Sequence, residues 1–507
     1  MRINLEHIVR NVEVKVEGNE LKLSGQISLS VAMAGETTPD AVEQSVEEAG
    51  QAIKRVLFRS LMEQADREEV LRSRAGKEGQ GIQCRGCRPY SFRTVFGTVE
   101  IQRSRISHRA DGGYEFPSET AWNLPAREYV TRGLRDLAWD EMMDRPLRNV
   151  KGALDQRAGQ QDLLAESSIL EIVHQEGREL GEAVRQRAKT ILDAQPEVRK
   201  RLAPECDGYS RQKAKQRGEP VDCPVDEVTD EDALKIAMGF LGAESPEELE
   251  EQERVAPRQV DEGFVLMQAD EVKTKAQGSC PEKELWFFTA VIMVRQMSYH
   301  LVAETTEALW EQSAALLHLL GICDGRRQLI VLADGARWIR NWFTSINAPG
   351  KVMILCWYHL AKRVYQRLSA AGFAKQRREE LEKELLGHLW RGQLDAALEV
   401  YARIRDEARN PRWVDDMVNY LEKRREYIPN YEARHQAGLW IASNRVEKWN
   451  DWAVSDRCKR RGMSWVKEGV MALALRKAAR HNEELDDWKK TRTLPDWRVL
   501  QSAETAA

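Results

Sequence analysis

The chain has 507 residues, 42% of them hydrophobic, with 77 Lys and Arg against 81 Asp and Glu, a net charge of −4 and 8 cysteines. No run approaches the ~18 apolar residues of a membrane span, and the N-terminus lacks the apolar stretch of a secretory signal. The expectation is a soluble cytoplasmic protein of several domains with reduced thiols, and charge this dense makes local patches matter more than the slightly acidic total.

Residues 1–75 read as a hairpin followed by a helix. Val12, Val14 and Val16 alternate up to Gly18-Asn19, and Leu21, Leu23, Ile27, Leu29 and Val31 alternate beyond it. Thr38-Pro39-Asp40 has the form of a helix start, and Val42, Val46, Ala49, Ile53, Val56, Leu57 and Leu61 give that helix an apolar face. Residues 76–125 form a small β element carrying Cys84-Arg85-Gly86-Cys87 and a short strand, Thr94 to Ile101, that leads into Arg103 and Arg105. A lone Cys-x-x-Cys is half of a structural zinc site. Cys84 and Cys87 either bind Zn²⁺ with help from His108, Cys206 or Cys223, or form a knuckle-like turn with two free thiols. Residues 126–195 are helical, broken at Arg145-Pro146-Leu147, with Ser167-Ser168 as a cap. They suit a helix-turn-helix reader of DNA or an ordinary bundle. Residues 196–262 are charged and Pro-containing, which predicts a linker or mobile loop around one short helix, Ala233 to Leu241, and a domain boundary.

From 263 to 372 the pattern is α/β. Phe264 to Ala269 is a strand ending at Asp270, Leu285 to Val294 a second, Tyr299 to Ala303 a third, and Thr305 to Leu320 a helix. Leu329 to Leu332 is a fourth strand, leading to Asp334, and Val352 to Leu355 a fifth, leading to Cys356 and His359. The order βββαβαβα is that of the ribonuclease H-like fold, a mixed sheet in which the first and fourth strands adjoin, so Asp270 and Asp334 are expected on neighbouring parallel strands. Residues 373–440 are an all-α insertion. Residues 441–485 complete the core, with Ser443 as the N-cap of a helix bearing Glu447. Residues 486–507 read as a polar, mobile tail.

Two carboxylates at neighbouring strand ends and a third on a later helix are a hard oxygen cage of the kind Mg²⁺ and Mn²⁺ choose. Two such ions about 3.5–4 Å apart can activate an attacking oxygen and stabilise the leaving one in phosphoryl transfer. Asp270, with Glu271 beside it as the other candidate, Asp334 and Glu447 are the expected ligands. Cys356 and His359 could be read as a metal pair or as a nucleophile with its base, but Cys356 ends an apolar strand, where a buried inert thiol is the usual occupant. His359 reads as a hydrogen-bonding support for the carboxylates or a contact to the scissile phosphate. The 15 tryptophans suit a core first and base stacking second. Trp449 or Trp452, near Glu447, is the candidate for stacking on an unpaired base.

The pieces QADEVKTK, VLADGARWI, LCWYHLAKR and SNRVEKWNDWAVSDRCKRRGMSW resemble Mutator-like bacterial insertion-sequence transposases of the DDE class. In that family a second aspartate precedes a Cys- or Asp-x-x-His motif, a helical insertion follows, and the glutamate lies on an Asn-x-x-Glu-like segment. Asp334, Cys356, His359, Asn444 and Glu447 stand here in that order. The resemblance implies Mg²⁺-dependent cleavage at terminal inverted repeats and strand transfer into target DNA, by a homo-oligomer acting on paired ends. It implies that Arg457, Lys459, Arg460 and Arg461 follow the DNA backbone, with Arg445 and Lys448 on the glutamate helix adding to the same surface. Two other readings remain open: a transposase-derived protein that only binds DNA, and a metal-dependent nuclease without strand transfer.

Overall fold

The computed structural model describes residues 9–17, 20–27, 38–75, 83–107, 113–209, 213, 216, 263–295 and 297–497. The expected helix from Ala233 to Leu241, His108, Cys223 and the stretch beyond Ile27 that carries Leu29 and Val31 lie outside these residues. The chain divides into two compact units, Met1–Glu176 and Gly177–Ala507. That division falls inside a long helix and not in the 196–262 stretch expected as linker.

In the first unit β1 (Val9–Glu17) and β2 (Glu20–Ile27) form an antiparallel hairpin. Helix α1 (Pro39–Ala75) follows. A four-stranded sheet of order β5-β4-β3-β6 is built from β3 (Gln83–Thr94), β4 (Gly97–Ser107), β5 (Tyr114–Glu115) and β6 (Glu128–Val130). The expected single strand from Thr94 to Ile101 is therefore a turn and half a hairpin. Thr94 Oγ1 donates to the carbonyl of Gly97, and Gly97 has φ +113, a backbone only glycine adopts freely. Tyr90 and Phe92 alternate inward on β3, Val99 and Ile101 on β4, and Phe58 and Met62 of α1 pack on this face. Val42 and Val46, expected on the buried face of α1, are instead 45% and 61% exposed. Helices α2 (Pro117–Ala121), α3 (Arg132–Asp144), α4 (Leu147–Ala158) and the start of α5 (Glu166–Ala194) complete the unit. Pro146 separates α3 from α4 as predicted, because it cannot supply the N–H that a continuing helix needs.

Cys84 and Cys87 lie within β3 and are exposed. The pairing with β4 slips between them, around Gly86 at φ +87, so the motif is a bulged strand and not a knuckle-like turn.

The second unit opens with the rest of α5 and α6 (Pro196–Leu202), whose Val198 and Leu202 are buried, so the first turns of the expected linker are structured. Its five-stranded sheet has the order β11-β10-β7-β8-β9. The strands are β7 (Phe264–Lys275), β8 (Glu284–Val294), β9 (Met297–Ala303), β10 (Gln328–Ala333) and β11 (Val352–Leu355). β7, β10 and β11 run parallel, and β7, β8 and β9 antiparallel. The apolar runs in β8 and β10 follow from burial on both faces. On one face lie α7 (Thr306–Leu319) and α8 (Arg337–Ser345), where Trp310 stacks on Trp342 at 4.3 Å over a core that includes Met267 and Phe288. Next comes α9 (Trp357–Ala371), which closes the first part of the core, and then the helical insertion, α10 (Lys375–Trp390), α11 (Leu394–Ile404), α12 (Arg412–Glu422) and α13 (Tyr431–Gln436). The chain returns to the sheet as α14 (Asn444–Asn450), a π-helical turn (Asp451–Ser455), α15 (Asp456–Cys458) and α16 (Lys467–His481).

Residues after 485 are not a loose tail throughout. α17 (Leu485–Thr491) buries Leu485 and Trp488, and Trp497 is buried under the Arg187 guanidinium, 4.0 Å from its ring centre. Arg187 also pairs with buried Glu484 at 2.6 Å. Among the described residues no helix is long and apolar enough to cross a membrane.

Beneath α14 and α16, His300 of β9 lies 4.8 Å from the Trp449 ring and 5.0 Å from that of His481. Burial, and then the neighbouring His481, pulls its imidazole down to about 4. An unfolded histidine titrates near 6.5, so between these values the unfolded chain takes up a proton that the folded one refuses. Stability at this site is therefore full above pH 6.5 and falls as the pH drops toward 4, by about 3 kcal/mol in all. Urea midpoints of wild type and His300→Gln at pH 7.5 and 4.5 check this: the wild type should lose more, and equal losses would refute it.

Candidate functional site

The parallel pairing of β7 with β10 runs from Phe264 opposite Gln328 to Met267 opposite Val331, a constant offset of 64 (331 − 267). Asp270 and Asp334 each stand three residues past this last pair, so they share the same offset (334 − 270 = 64). Asp334 stands at the end of its strand as expected, and its Oδ1 accepts from the Ala336 N–H at 2.7 Å in the turn that opens α8. Asp270 does not end a strand. β7 continues to Lys275, because residues 266–275 pair with β8 along their whole length. What ends after Met267 is the pairing with β10, and Asp270 lies just past it on the edge this opens.

Both oxygens of Asp270 are held. Oδ1 accepts from the Glu271 N–H at 2.8 Å, and Oδ2 from Asn450 Nδ2 at 2.8 Å. Thr289 Oγ1 on β8 donates to Asn450 Oδ1 at 2.6 Å and so fixes which way the amide faces. Burial, followed by the charges of Asp334 and Glu447, pushes the Asp270 carboxyl well above the usual carboxylate range. The Asp270 carboxyl thus lies in a field of like charge.

Glu447 sits in the first turn of α14, with Ser443 at the N-cap position. The Ser443 hydroxyl caps no backbone N–H; it donates to Glu447 Oε1 at 3.0 Å. Gln268, on the strand next to Asp270, anchors this entry: its Nε2 donates to the Ala442 carbonyl and its Oε1 accepts from the Val446 N–H. Cys356 and His359 open α9, and Cys356 Sγ accepts from the Ser443 N–H at 3.3 Å. Nδ1 of His359 lies 3.7 Å from Glu447 Oε1. Burial alone would lower the His359 imidazole, but the charges of Cys356, Glu447 and Asp334 outweigh it and raise it well above its ordinary range. Among the described residues, the group of Cys, His, Asp or Glu ligand atoms that all lie within 4.8 Å of one another is Cys356, His359 and Glu447. Asp270 and Asp334 act on the same region but are not members of that close group.

The arginines beside Asp334 were not legible in the sequence. Arg340 Nε and Arg424 from the helical insertion both donate to the Gly335 carbonyl, each at 3.1 Å. Burial, together with the charges of Arg340 and Arg363, lowers the Arg424 guanidinium. The acidic edge therefore has a cationic flank. Gly335 makes this approach feasible: its φ is +76, and a Cβ there would lie 2.8 Å from Leu355 Cδ1 and 2.9 Å from Arg424 Nε. Gly335→Ala should cost about 1–3 kcal/mol, from the left-handed backbone and the displaced arginine. Urea unfolding checks this, and an unchanged midpoint would contradict the packing described.

Several expected DNA contacts are corrected. Trp449 is fully buried and donates its indole N–H to the Leu301 carbonyl at 3.0 Å, so it cannot stack on a base. Arg457 is 3% exposed and lies over the Trp465 ring, so it belongs to the core and not to a backbone-tracking strip. Trp452 is 38% exposed and stacks on His481 at 5.0 Å. Arg445, Lys459, Arg460 and Arg461 are exposed, and Lys448 is half-buried over the Trp452 ring. Asn444 is the first residue of α14. The close ligand group among the described residues does not include Cys84 or Cys87.

Residues 286–493 match an uncharacterised protein family (UPF0236). The matched stretch contains Asp334, Cys356, His359 and Glu447 and begins after Asp270. No curated protein matches the chain.

Proposed function

We propose that the second unit is a ribonuclease H-like catalytic domain of a DDE transposase, cleaving DNA at transposon ends and joining them to a target. The observation that supports this reading is the parallel β7–β10 pairing, past whose last pair, Met267 opposite Val331, Asp270 and Asp334 each follow by three residues. The packing of α14, the Glu447 helix, on β7 and β8 of the same sheet adds to it.

The donor chemistry fits a hard divalent ion. Asp270 carries a carboxyl made costly to ionise by burial and by Asp334 and Glu447, a conflict that a cation relieves. Asp270, Asp334 and Glu447 would hold Mg²⁺ or Mn²⁺, which when bound supplies charge neutralisation for the attacking and leaving oxygens of phosphoryl transfer. Asn450 and Thr289 hold Asp270 in one rotamer, and Ser443 steers Glu447. Arg340 and Arg424 place fixed positive charge beside Asp334, where a phosphodiester would need it. Exposed Arg445, Lys459, Arg460 and Arg461 suit contacts to duplex phosphates.

The test is to incubate the full chain with labelled DNA from the flanks of its own gene, with Mg²⁺ and a supercoiled target. Joined products support the reading. Nicking alone assigns a nuclease, and binding alone a DNA-binding protein that no longer cuts; either overturns it.

A further inference from the structure

We infer that Cys356, His359 and Glu447 form a site for one borderline-soft divalent ion of the zinc class, distinct in its Cys and His ligands from the hard-ion set proposed above. The three residues meet because Cys356 and His359 open α9 while Glu447 lies in the first turn of α14, and the two helix starts face each other at the sheet edge. One ligand atom from each falls within 4.8 Å of the other two, and His359 Nδ1 is 3.7 Å from Glu447 Oε1. Ligands around a tetrahedral zinc stand roughly 3.3–3.8 Å apart, given metal–ligand bonds of about 2.0–2.3 Å. A small rotation of side chains closes the set.

Two further observations point to a ligand and away from an inert thiol beside a structural histidine. His359 Nδ1 is buried and aimed at the other two groups, with Glu447 Oε1 at 3.7 Å, beyond the reach of a good hydrogen bond. Ser443 touches both remaining ligands: its N–H reaches Cys356 Sγ at 3.3 Å and its hydroxyl reaches Glu447 Oε1 at 3.0 Å. That is how outer partners orient metal ligands. A thiol, an imidazole and a carboxylate together favour Zn²⁺ over Mg²⁺. Three protein ligands leave a fourth position, and with the side chains of His359 and Glu447 32% and 42% exposed it faces solvent, so the ion exchanges. If the function proposed above is right, Glu447 is shared, and an ion held with Cys356 and His359 withdraws it from Asp270 and Asp334. That consequence rests on the proposed function; the site itself does not.

Cobalt(II) reports the site directly. The metal-free full chain, without DNA, should bind one Co²⁺ with a sulfur-to-cobalt band in the near ultraviolet and visible bands of tetrahedral intensity, and Zn²⁺ should displace it. Cys356→Ser should remove the sulfur band. His359→Gln and Glu447→Gln, at partly exposed positions that leave the buried thiol in place, should weaken Co²⁺ binding by about 10- to 100-fold or more. If Cys356→Ser fails to fold, these two variants decide. Absence of the sulfur band in wild type overturns the inference. So does a band that survives His359→Gln and is lost in Cys84→Ser, which would place the ion on the Cys84–Cys87 strand. Because no DNA is present, either result leaves the test of DNA joining independent.

Discussion

Asp270→Asn should lower DNA cleavage and joining by about a thousandfold or more, since losing one ligand of a charge-neutralising ion removes several kcal/mol of transition-state stabilisation. The same substitution should raise the thermal stability of the metal-free protein at pH 8. Asp270 sits where burial and the charges of Asp334 and Glu447 oppose its ionisation. Asn removes that repulsion, keeps an acceptor for the Glu271 N–H, and gives up one hydrogen bond, from Asn450, worth ~1 kcal/mol.

The sign of the pH dependence follows. With its carboxyl raised, folded Asp270 binds a proton at pH values where the unfolded chain has released it, so wild-type stability at this site falls as the pH rises above about 4. The advantage of Asp270→Asn should be largest at pH 8 and vanish near pH 4. Melting curves in EDTA at the two pH values measure it. A substitution that destabilises equally at both would mean that Asp270 is an ordinary hydrogen-bonded carboxylate. Asp334→Asn and Glu447→Gln should match the loss of activity. Retained joining in any of the three would remove that residue from the ion-binding set.

Trp449→Ala should destabilise the second unit by about 3–5 kcal/mol, the cost of emptying a large buried aromatic site. Trp449 is fully buried, its indole N–H is bonded to the Leu301 carbonyl, and its ring rests against His300 and His481. The α14 segment that carries Glu447 would lose its anchor on β9. Trp452→Ala, on the π-helical turn and 38% exposed, should cost far less. Urea unfolding of the two variants separates them. If both lose the same small amount of stability, Trp449 is not the anchor described. If Trp452→Ala alone impairs joining at unchanged duplex binding, the exposed ring is the one that meets DNA.

Sequence by itself determined the order of elements in the second unit and the carboxylates to watch. Unbroken apolar runs such as Leu329–Leu332 carry burial on both faces in their composition, and local turn chemistry ends them: Asp334-Gly335 is a turn before it is anything else. It could not separate Trp449 from Trp452, or Arg457 from Arg460, because spacing on a helix names a face and not what covers it. The assembled fold decided that β7 runs on past Asp270, that Asn450 and Thr289 hold its carboxylate, and that Arg424 arrives beside Asp334 from the insertion. It also decided that Glu447 shares one cluster of ligand atoms with Cys356 and His359. Each of these joins residues far apart along the chain through hydrogen bonds or packing, and only the tertiary structure sets such contacts.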